Sequence, residues 1–96
     1  MLFVVIARDG TDEKALARRL EARPSHIEDF QNGLKTGRNI LGGAILNEQE
    51  NMCGSVMVVD FESRGALEDW LWKDPYVTGK VWQDIEILPF RLAGKS

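Results

Sequence analysis

The residues from Arg19 to His26 are the part of this sequence whose types and spacing most clearly favour chemistry. His26 is the only histidine in 96 residues, and imidazole is the side chain whose charge changes most readily near neutral pH. In a helix, Arg19, Arg23 and His26 would stand at i, i+4 and i+7 and share one face. Such a face favours an anion site or acid–base catalysis. The alternatives are a structurally hydrogen-bonded histidine and a solvated arginine face paired with nearby glutamates.

A second, apolar face runs along the same predicted helix. Its residues lie one position further round, about 100° from the basic face, and are expected to contact the core. They are Leu16, Leu20, Ile27 and Leu34. The basic face would then lie at the rim of the core. Pro24 has no N–H and its ring would clash with the carbonyl four residues back, which predicts a kink or break beside His26.

Asp74 is a carboxylate that could complement the basic face. Ser63 is a good N-cap for a second helix, which Pro75 would end. Asp74 stands seven residues after Leu67 and continues that helix's apolar face, so its carboxylate would point to the core side. The dipole at a helix C-terminus disfavours a negative charge, so Asp74 needs a partner there, with His26 and the arginines as candidates. The alternative is that the Asp-Pro pair only ends the helix.

Further candidate groups lie on the predicted second and third strands. Gly42 and Gly43 interrupt an apolar strand, which indicates a bulge or a place where another group approaches the backbone closely. Ser55 could donate its hydroxyl to a ligand and Gly54 its N–H, although a glycine at the start of a strand is the commoner explanation. Cys53 has no second histidine to activate it, so nucleophilic catalysis is disfavoured.

Several other chemistries lack the residues they require. One histidine and one cysteine cannot build a zinc site rich in nitrogen and sulfur ligands. The sequence has no glycine-rich dinucleotide or phosphate loop and no G-x-S-x-G nucleophile motif. We therefore expect no metal and no bound cofactor. A net charge of −3, without a basic patch beyond the arginine face, argues against nucleic acid or an anionic membrane as partner.

The composition, 44% hydrophobic and 28% charged, is that of an ordinary globular domain. We expect one domain over residues 1–92 and a short tail at residues 93–96. The single cysteine excludes an internal disulfide, and no secretory signal is apparent, which favours a reduced, cytoplasmic protein. The apolar run at residues 2–7 is far too short to span a bilayer.

Apolar runs and turn signals predict elements in the order β-α-β-β-α-β. Strands are expected at residues 2–7, 39–46, 55–61 and 81–88. The first helix would begin after a Thr11 cap, break at Pro24 and end at Gly37. The second would follow Ser63 and end at Pro75. This order is that of the ferredoxin-like split βαβ fold, an α+β sheet whose first and third strands are central.

The two central strands of this sheet are apolar on both faces. In the first strand, Val4 and Ile6 alternate with Phe3 and Val5, and the third strand follows the same pattern. Two helices can cover only one face of a four-stranded sheet. A second copy packed sheet to sheet is the simplest cover for the other face, so we predict a homodimer.

Taken together, these segments resemble the YciI-like, or YCII-related, family. The resemblance spans nearly the whole chain and is carried by Arg19-Leu20-x-x-Arg23-Pro24-x-His26, Gly42-Gly43, Gly54-Ser55, Asp74-Pro75-Tyr76 and Leu88-Pro89-Phe90. It implies a dimeric α+β barrel of ferredoxin-like subunits, similar to muconolactone isomerase. It also implies that His26 and Asp74 form an acid–base dyad in a pocket. Members with an assigned activity, such as a dehydrochlorinase, perform lyase-like proton chemistry on small cyclic compounds.

The preferred hypothesis is a small acid–base enzyme of the lyase or isomerase type. Asp74 would orient His26, which exchanges a proton with a small cyclic, anionic or phenolic metabolite. The candidate substrate-binding residues are Arg19, Arg23, Ser55 and Gly43. The alternative is a non-catalytic dimeric module that binds a small ligand or serves as an accessory domain. A third possibility, purely structural dimerisation, predicts a pocket filled by side chains such as Trp70 and Trp82.

Overall fold

Four strands and three helices make up the computed structural model, which describes residues 1–94. In chain order they are β1 (Leu2–Asp9), α1 (Ala15–Thr36), β2 (Asn39–Leu46), β3 (Met52–Asp60), α2 (Arg64–Leu71), α3 (Pro75–Thr78) and β4 (Trp82–Pro89). The strands form one antiparallel sheet in the order β2-β3-β1-β4. The ferredoxin-like α+β prediction is confirmed, with the first and third strands in the centre. The tail expected at residues 93–96 lies partly outside the described residues.

One face of the sheet carries the core. Side chains alternate along β1, so that Phe3, Val5 and Ala7 all point towards the helices and are at most 2% exposed. The other members of this buried cluster are Met57, Val59, Leu67, Leu71, Tyr76, Val81, Trp82 and Ile87. Full burial of each large aliphatic side chain contributes about 1.5–3 kcal/mol. The core therefore lies in a single layer between the sheet and the helices.

The opposite face of the sheet is apolar at its centre and charged towards one end, where Glu86 pairs with Ile6 and Asp84 with Arg8. Leu41 of β2 pairs with Val58 of β3, and Leu88 of β4 pairs with Val4 of β1. Leu41 is 49% exposed and Leu88 is 41% exposed. Because side chains on a strand alternate between faces, these pairs lie away from the helical core.

Helix α1 differs from its prediction at its start and at Pro24. It begins at Ala15 after Lys14, not after Thr11, because Asp12 lies outside the helix and accepts two hydrogen bonds from Arg18, both of 2.7 Å. These hydrogen bonds lower the pKa of the Asp12 carboxyl. The predicted break is wrong, since the helix continues through Pro24 to Thr36 and Gly37 caps it with φ 84°.

The tolerance of Pro24 follows from its position on α1. Pro24 is exposed, so the Leu20 carbonyl that loses its usual donor lies on the solvent side of the helix and can bind water.

Although α1 has 22 residues, no helix among residues 1–94 is long and apolar enough to cross a membrane.

The buried face of α1 is the one predicted to lie at the rim. Its buried residues are Ala15, Arg19, His26 and Gly33. In contrast, Leu20 is 52% exposed and Leu34 is 44% exposed, whereas Leu16 and Ile27 are half-buried. The prediction that this apolar face contacts the core is therefore wrong for Leu20 and Leu34. The physical reason is that both buried polar side chains find carboxylate partners beneath the helix, as described below.

The segment after β3 also differs from its prediction. Ser63 caps α2, and its Oγ accepts the Ala66 N–H at 3.1 Å, as expected. However, α2 ends at Leu71, and the four-residue helix α3 begins at Pro75. Proline is favoured at the first position of a helix, where its missing N–H is not needed. Asp74 therefore precedes a helix instead of ending one.

Two glycines on adjacent strands give a matched test of packing in the sheet. A Cβ at position 54 would lie 2.6 Å from the Ala7 carbonyl oxygen, whereas one at position 43 would meet nothing within 4 Å. We expect Gly54→Ala to lower the free energy of unfolding by about 1–3 kcal/mol and Gly43→Ala to leave it nearly unchanged. Urea denaturation of both variants measures the difference. Equal stabilities would contradict this account of the β1–β3 contact.

Candidate active site

The single imidazole and the carboxylate before Pro75 meet in the helical layer. His26 lies in the middle of α1, and Asp74 immediately precedes α3. Nδ1 of His26 is 3.0 Å from Oδ1 of Asp74 and 3.2 Å from Oδ2. His26 is 6% exposed and Asp74 is 3% exposed. The structure thus brings together the two residues paired in the sequence interpretation.

Asp74 is held on its other side by the start of α3. Its backbone is extended and its Oδ1 accepts the Tyr76 N–H at 2.8 Å, so Asp74 is the N-cap of α3. The prediction that Asp74 lies at a helix C-terminus is therefore wrong. At a helix N-terminus the peptide dipoles favour a negative charge on Asp74, whereas at a C-terminus they would oppose it. An ionised carboxylate only accepts hydrogen bonds, so its contact with His26 requires a proton on Nδ1.

Aromatic rings fix the orientation of the imidazole. The Tyr76 ring stacks on His26 with centroids 3.9 Å apart and an interplanar angle of 18°. The Trp82 ring meets His26 edge-on, at 5.6 Å and 80°. Within residues 1–94, Nε2 of His26 makes no hydrogen bond, and it is not closed off from solvent. In the neutral tautomer set by Asp74, Nε2 carries an available lone pair.

Arg19 lies two turns before His26 and pairs with Asp9, a residue that the sequence analysis missed. Its Nη1 donates to Oδ1 and Oδ2 of Asp9 at 2.9 and 3.1 Å, and both side chains are 3% exposed. Burial raises the pKa of Asp9, while the Arg19 guanidinium acts in the opposite direction. The missing signal was the alternation along β1. Asp9 stands two residues after Ala7 and therefore shares its core-facing side.

Ser55 of β3 extends this buried pair. Its Oγ accepts hydrogen bonds from Nη2 of Arg19 at 2.8 Å and from Nε1 of Trp82 at 3.3 Å. The Arg19 guanidinium carbon also lies 4.7 Å from the Tyr76 ring centroid. Tyr76 was not a site candidate, although it contacts both His26 and Arg19, and burial raises the pKa of its phenol. The signal in the sequence was its position two residues after Asp74, since an N-cap carboxylate accepts the N–H of the second or third helical residue and so lies close to it.

A cavity of about 220 Å³ opens beside His26. Its walls come from α1, β2, β3 and the start of α3, and are formed by Arg19, Arg23, His26, Ile27, Phe30, Gly42, Gly43, Ala44, Met52, Ser55, Met57 and Tyr76. An apolar cavity of about 150 Å³ is enough to hold benzene. The cavity therefore has room for a molecule built on a single ring.

All four candidate substrate-binding residues border this cavity, namely Arg19, Arg23, Ser55 and Gly43. Arg19 and Ser55 already have protein partners. Arg23 is exposed and forms no ion pair or side-chain hydrogen bond within the described part of the chain. A Cβ at Gly42 would overlap the Phe30 ring, so the absence of a side chain there lets Phe30 form part of the wall.

Two other candidate residues do not border the cavity. Cys53 is half-buried, and Trp70 donates its Nε1 hydrogen to Asp29 at 3.2 Å. Neither belongs to the cavity wall. The positions described, 1–94, contain no group of three or more side chains suited to holding a metal ion.

Fold and site define a ferredoxin-like α+β protein whose helical layer buries a His–Asp pair beside a cavity of ligand size. The family described as YCII-related domain matches residues 1–91, and the chain belongs to this family. Protein YciI of Escherichia coli is 32% identical over 97 residues, which cover 95% of this chain and 97% of that protein. An uncharacterised protein of Haemophilus influenzae is 30% identical with the same coverage.

Solved structures share the fold at lower identity. The 5-chloro-2-hydroxyhydroquinone dehydrochlorinase of Burkholderia phenoliruptrix, in complex with 2,5-dihydroxybenzoquinone, has a TM-score of 0.79 and 20% identity, covering 95% of this chain and 94% of that one. Muconolactone isomerase has a TM-score of 0.69 and 22% identity, covering 99% and 94%. At these identities the similarity establishes the fold.

The hydrogen bond to Asp74 predicts the tautomer of the neutral imidazole. We expect His26 to carry its proton on Nδ1, and Asp74→Asn to shift the population towards Nε2–H, because an amide can also donate. Nitrogen NMR of labelled protein reads this directly, since the chain has one histidine. A predominant Nε2–H tautomer in the unmodified protein would contradict the assignment.

Proposed function

We propose that this protein is an acid–base enzyme of the lyase or isomerase type that acts on a small cyclic or anionic molecule. The observation that carries the proposal is the buried contact of 3.0 Å between Nδ1 of His26 and Asp74, which leaves Nε2 for a molecule in the cavity. Nε2 takes a proton from the bound molecule and later returns it. Asp74 holds the required tautomer and stabilises the imidazolium that forms in between.

The character of the cavity supports this choice of substrate. Its volume of about 220 Å³ fits a single ring, and Phe30, Ile27 and Met57 supply apolar surface for that ring. Arg23 provides a cation without a protein partner among residues 1–94, which favours an anionic group at the border of the cavity. Two proteins of the same fold are a dehydrochlorinase of a hydroxyhydroquinone, solved with a benzoquinone, and a muconolactone isomerase.

Substitution of the dyad tests the proposed proton transfer. Against a panel of lactones, halogenated hydroquinones and enols, we expect His26→Ala to lower kcat by roughly 10²–10⁴-fold while binding is retained. Asp74→Asn should lower kcat in the same direction because it removes the charge that stabilises the imidazolium. Asparagine remains a good N-cap for α3, so this variant separates charge from helix capping. Steady-state kinetics and direct binding measurements give the two quantities.

Arg64→Ala is a suitable control, since Arg64 pairs with Glu68 on the surface of α2 and does not border the cavity. It should leave kcat unchanged. If the unmodified protein turns over none of the panel but binds a member tightly, the cavity belongs to a binding module and the enzyme proposal fails. Turnover that survives His26→Ala would also refute the role given to the dyad.

We also propose that the protein is a homodimer joined through the outer face of its sheet. That face presents the exposed side chains of Leu41 and Leu88, on strands β2 and β4. Between them, Val4, Ile6 and Val56 alternate away from the helical core and remain partly exposed. A second copy would remove this apolar surface, which Glu86 borders beside Ile6, from water.

A pair of exposed leucines on opposite layers tests the interface. Leu41 is 49% exposed on the sheet and Leu20 is 52% exposed on α1. We expect Leu41→Asp to convert the dimer to a monomer at micromolar concentration, because it places a charge within an apolar interface, and Leu20→Asp to leave the dimer intact. Sedimentation velocity measures both. A monomeric unmodified protein, or dissociation caused only by Leu20→Asp, would refute sheet-to-sheet assembly.

A further inference from the structure

The hydroxyl of Ser55 is restricted in the hydrogen bonds that it can still make. A serine hydroxyl has two acceptor positions and one donor hydrogen. Both acceptor positions of Ser55 are occupied, by Nη2 of Arg19 at 2.8 Å and Nε1 of Trp82 at 3.3 Å. No acceptor for its own hydrogen exists among residues 1–94. Ser55 is only 4% exposed and borders the cavity, so its remaining hydrogen bond must be made there or left unmade.

We infer that Ser55 is a donor-only subsite that binds an acceptor oxygen of the substrate, a carbonyl that becomes an enolate or a phenol that becomes a phenolate. This inference rests on the proposed function, since it identifies the oxygen that accompanies the proton moved by His26. A buried hydroxyl hydrogen without a partner is unfavourable. A ligand oxygen that only accepts hydrogen bonds would pair with the Ser55 hydrogen. An N–H or ammonium group in the same place would leave both its own hydrogen and that of Ser55 without an acceptor.

Arg19 strengthens this subsite without binding the substrate itself. Its guanidinium donates to Ser55 and polarises the hydroxyl, which makes the O–H a better donor to a negatively charged oxygen. Asp9 offsets the charge of Arg19 through hydrogen bonds of 2.9 and 3.1 Å. Arg19 is therefore a positioning residue, and the group that meets the ligand is the Ser55 hydroxyl.

The subsite fits proton transfer next to a carbonyl. Nε2 of His26 takes the proton from the carbon beside the C=O group, and the electron pair of that C–H bond forms a C=C bond. The π electrons of the C=O group move to oxygen, and Ser55 donates its hydrogen bond to the resulting enolate. In a substrate that also has a C=C bond conjugated with this enolate, the imidazolium returns the proton to the far carbon of that bond. The electrons on the enolate oxygen then re-form the C=O group and the C=C bond shifts by one position, which completes an isomerisation without any further reactant.

The ionisation of bound para-nitrophenol tests the subsite without requiring turnover. This probe has one ring, and its phenolate absorbs visible light, so its pKa in the cavity can be measured by titration. Donation from Ser55 stabilises the phenolate. We therefore expect Ser55→Ala to raise the pKa of the bound probe by about 1–2 relative to the unmodified protein. Ser55→Thr, which keeps the hydroxyl, should restore the lower value.

Ser55→Cys provides a second variant of nearly the same shape in case Ser55→Ala does not fold. Because a thiol is only a weak donor, this variant should also raise the pKa of the bound probe. The neighbouring charged and titratable groups Asp9, Arg19, Arg23, His26 and Tyr76 remain in every variant. Ser55→Thr also keeps the hydroxyl that accepts from Arg19 and Trp82, so recovery of the lower pKa in that variant assigns the effect to the hydroxyl. An unchanged pKa in the alanine or cysteine variant overturns the inference, as does failure of the unmodified protein to bind the probe at millimolar concentration. If the pKa of the bound probe rises in the Ser55 variants but no turnover depends on His26 and Asp74, the Ser55 subsite is supported and the proposed enzyme function is refuted.

Discussion

The burial of two basic side chains on α1 determines how the helical layer lies on the sheet. Arg19 and His26 are both buried. Turning α1 to bury a leucine instead would leave the buried Asp9 carboxylate without Arg19. An unpaired buried charge costs several kcal/mol, which exceeds the roughly 1.5–3 kcal/mol gained by burying one leucine. Asp9 and Asp74 provide the partners only beneath this face of the helix. The rotation that leaves Leu20 and Leu34 exposed follows from these two contacts.

Small residues allow the helix to approach the sheet in this orientation. Ala15 and Gly33 are the other buried residues of α1, and a Cβ at Gly33 would overlap the Asn39 side chain. Gly42 makes similar room for the Phe30 ring. The space that remains between α1 and the sheet is the cavity, so the features that let the helix pack there also create room for a ligand.

The sequence was informative where one periodicity dominated and less so where polar contacts decided the structure. Apolar runs predicted the four strands and their order, and Gly37 and Ser63 predicted a helix end and a helix start that the structure contains. The hydrophobic pattern of α1 gave the wrong buried face, because it could not weigh Leu20 against the partners of Arg19. Asp74 was placed at the wrong end of a helix because Pro75 reads equally as a stop and as a first helical residue. The pairing of Arg19 with Asp9 joins the end of β1 to the helix that follows it, and hydrophobic periodicity does not specify which polar side chains meet there.

The two buried contacts with carboxylates in the site, Arg19–Asp9 and His26–Asp74, are not independent. Tyr76 stacks on His26, lies against the Arg19 guanidinium and donates its N–H to Asp74. Trp82 donates to Ser55 and meets His26 edge-on. A displacement of either aromatic ring would therefore disturb the His26–Asp74 contact and the Arg19–Ser55 contact together. Because the same two rings contact both groups, the positions of the imidazole and the hydroxyl are fixed relative to each other before a ligand enters the cavity. Substitutions of residues in this contact network should therefore not have additive effects.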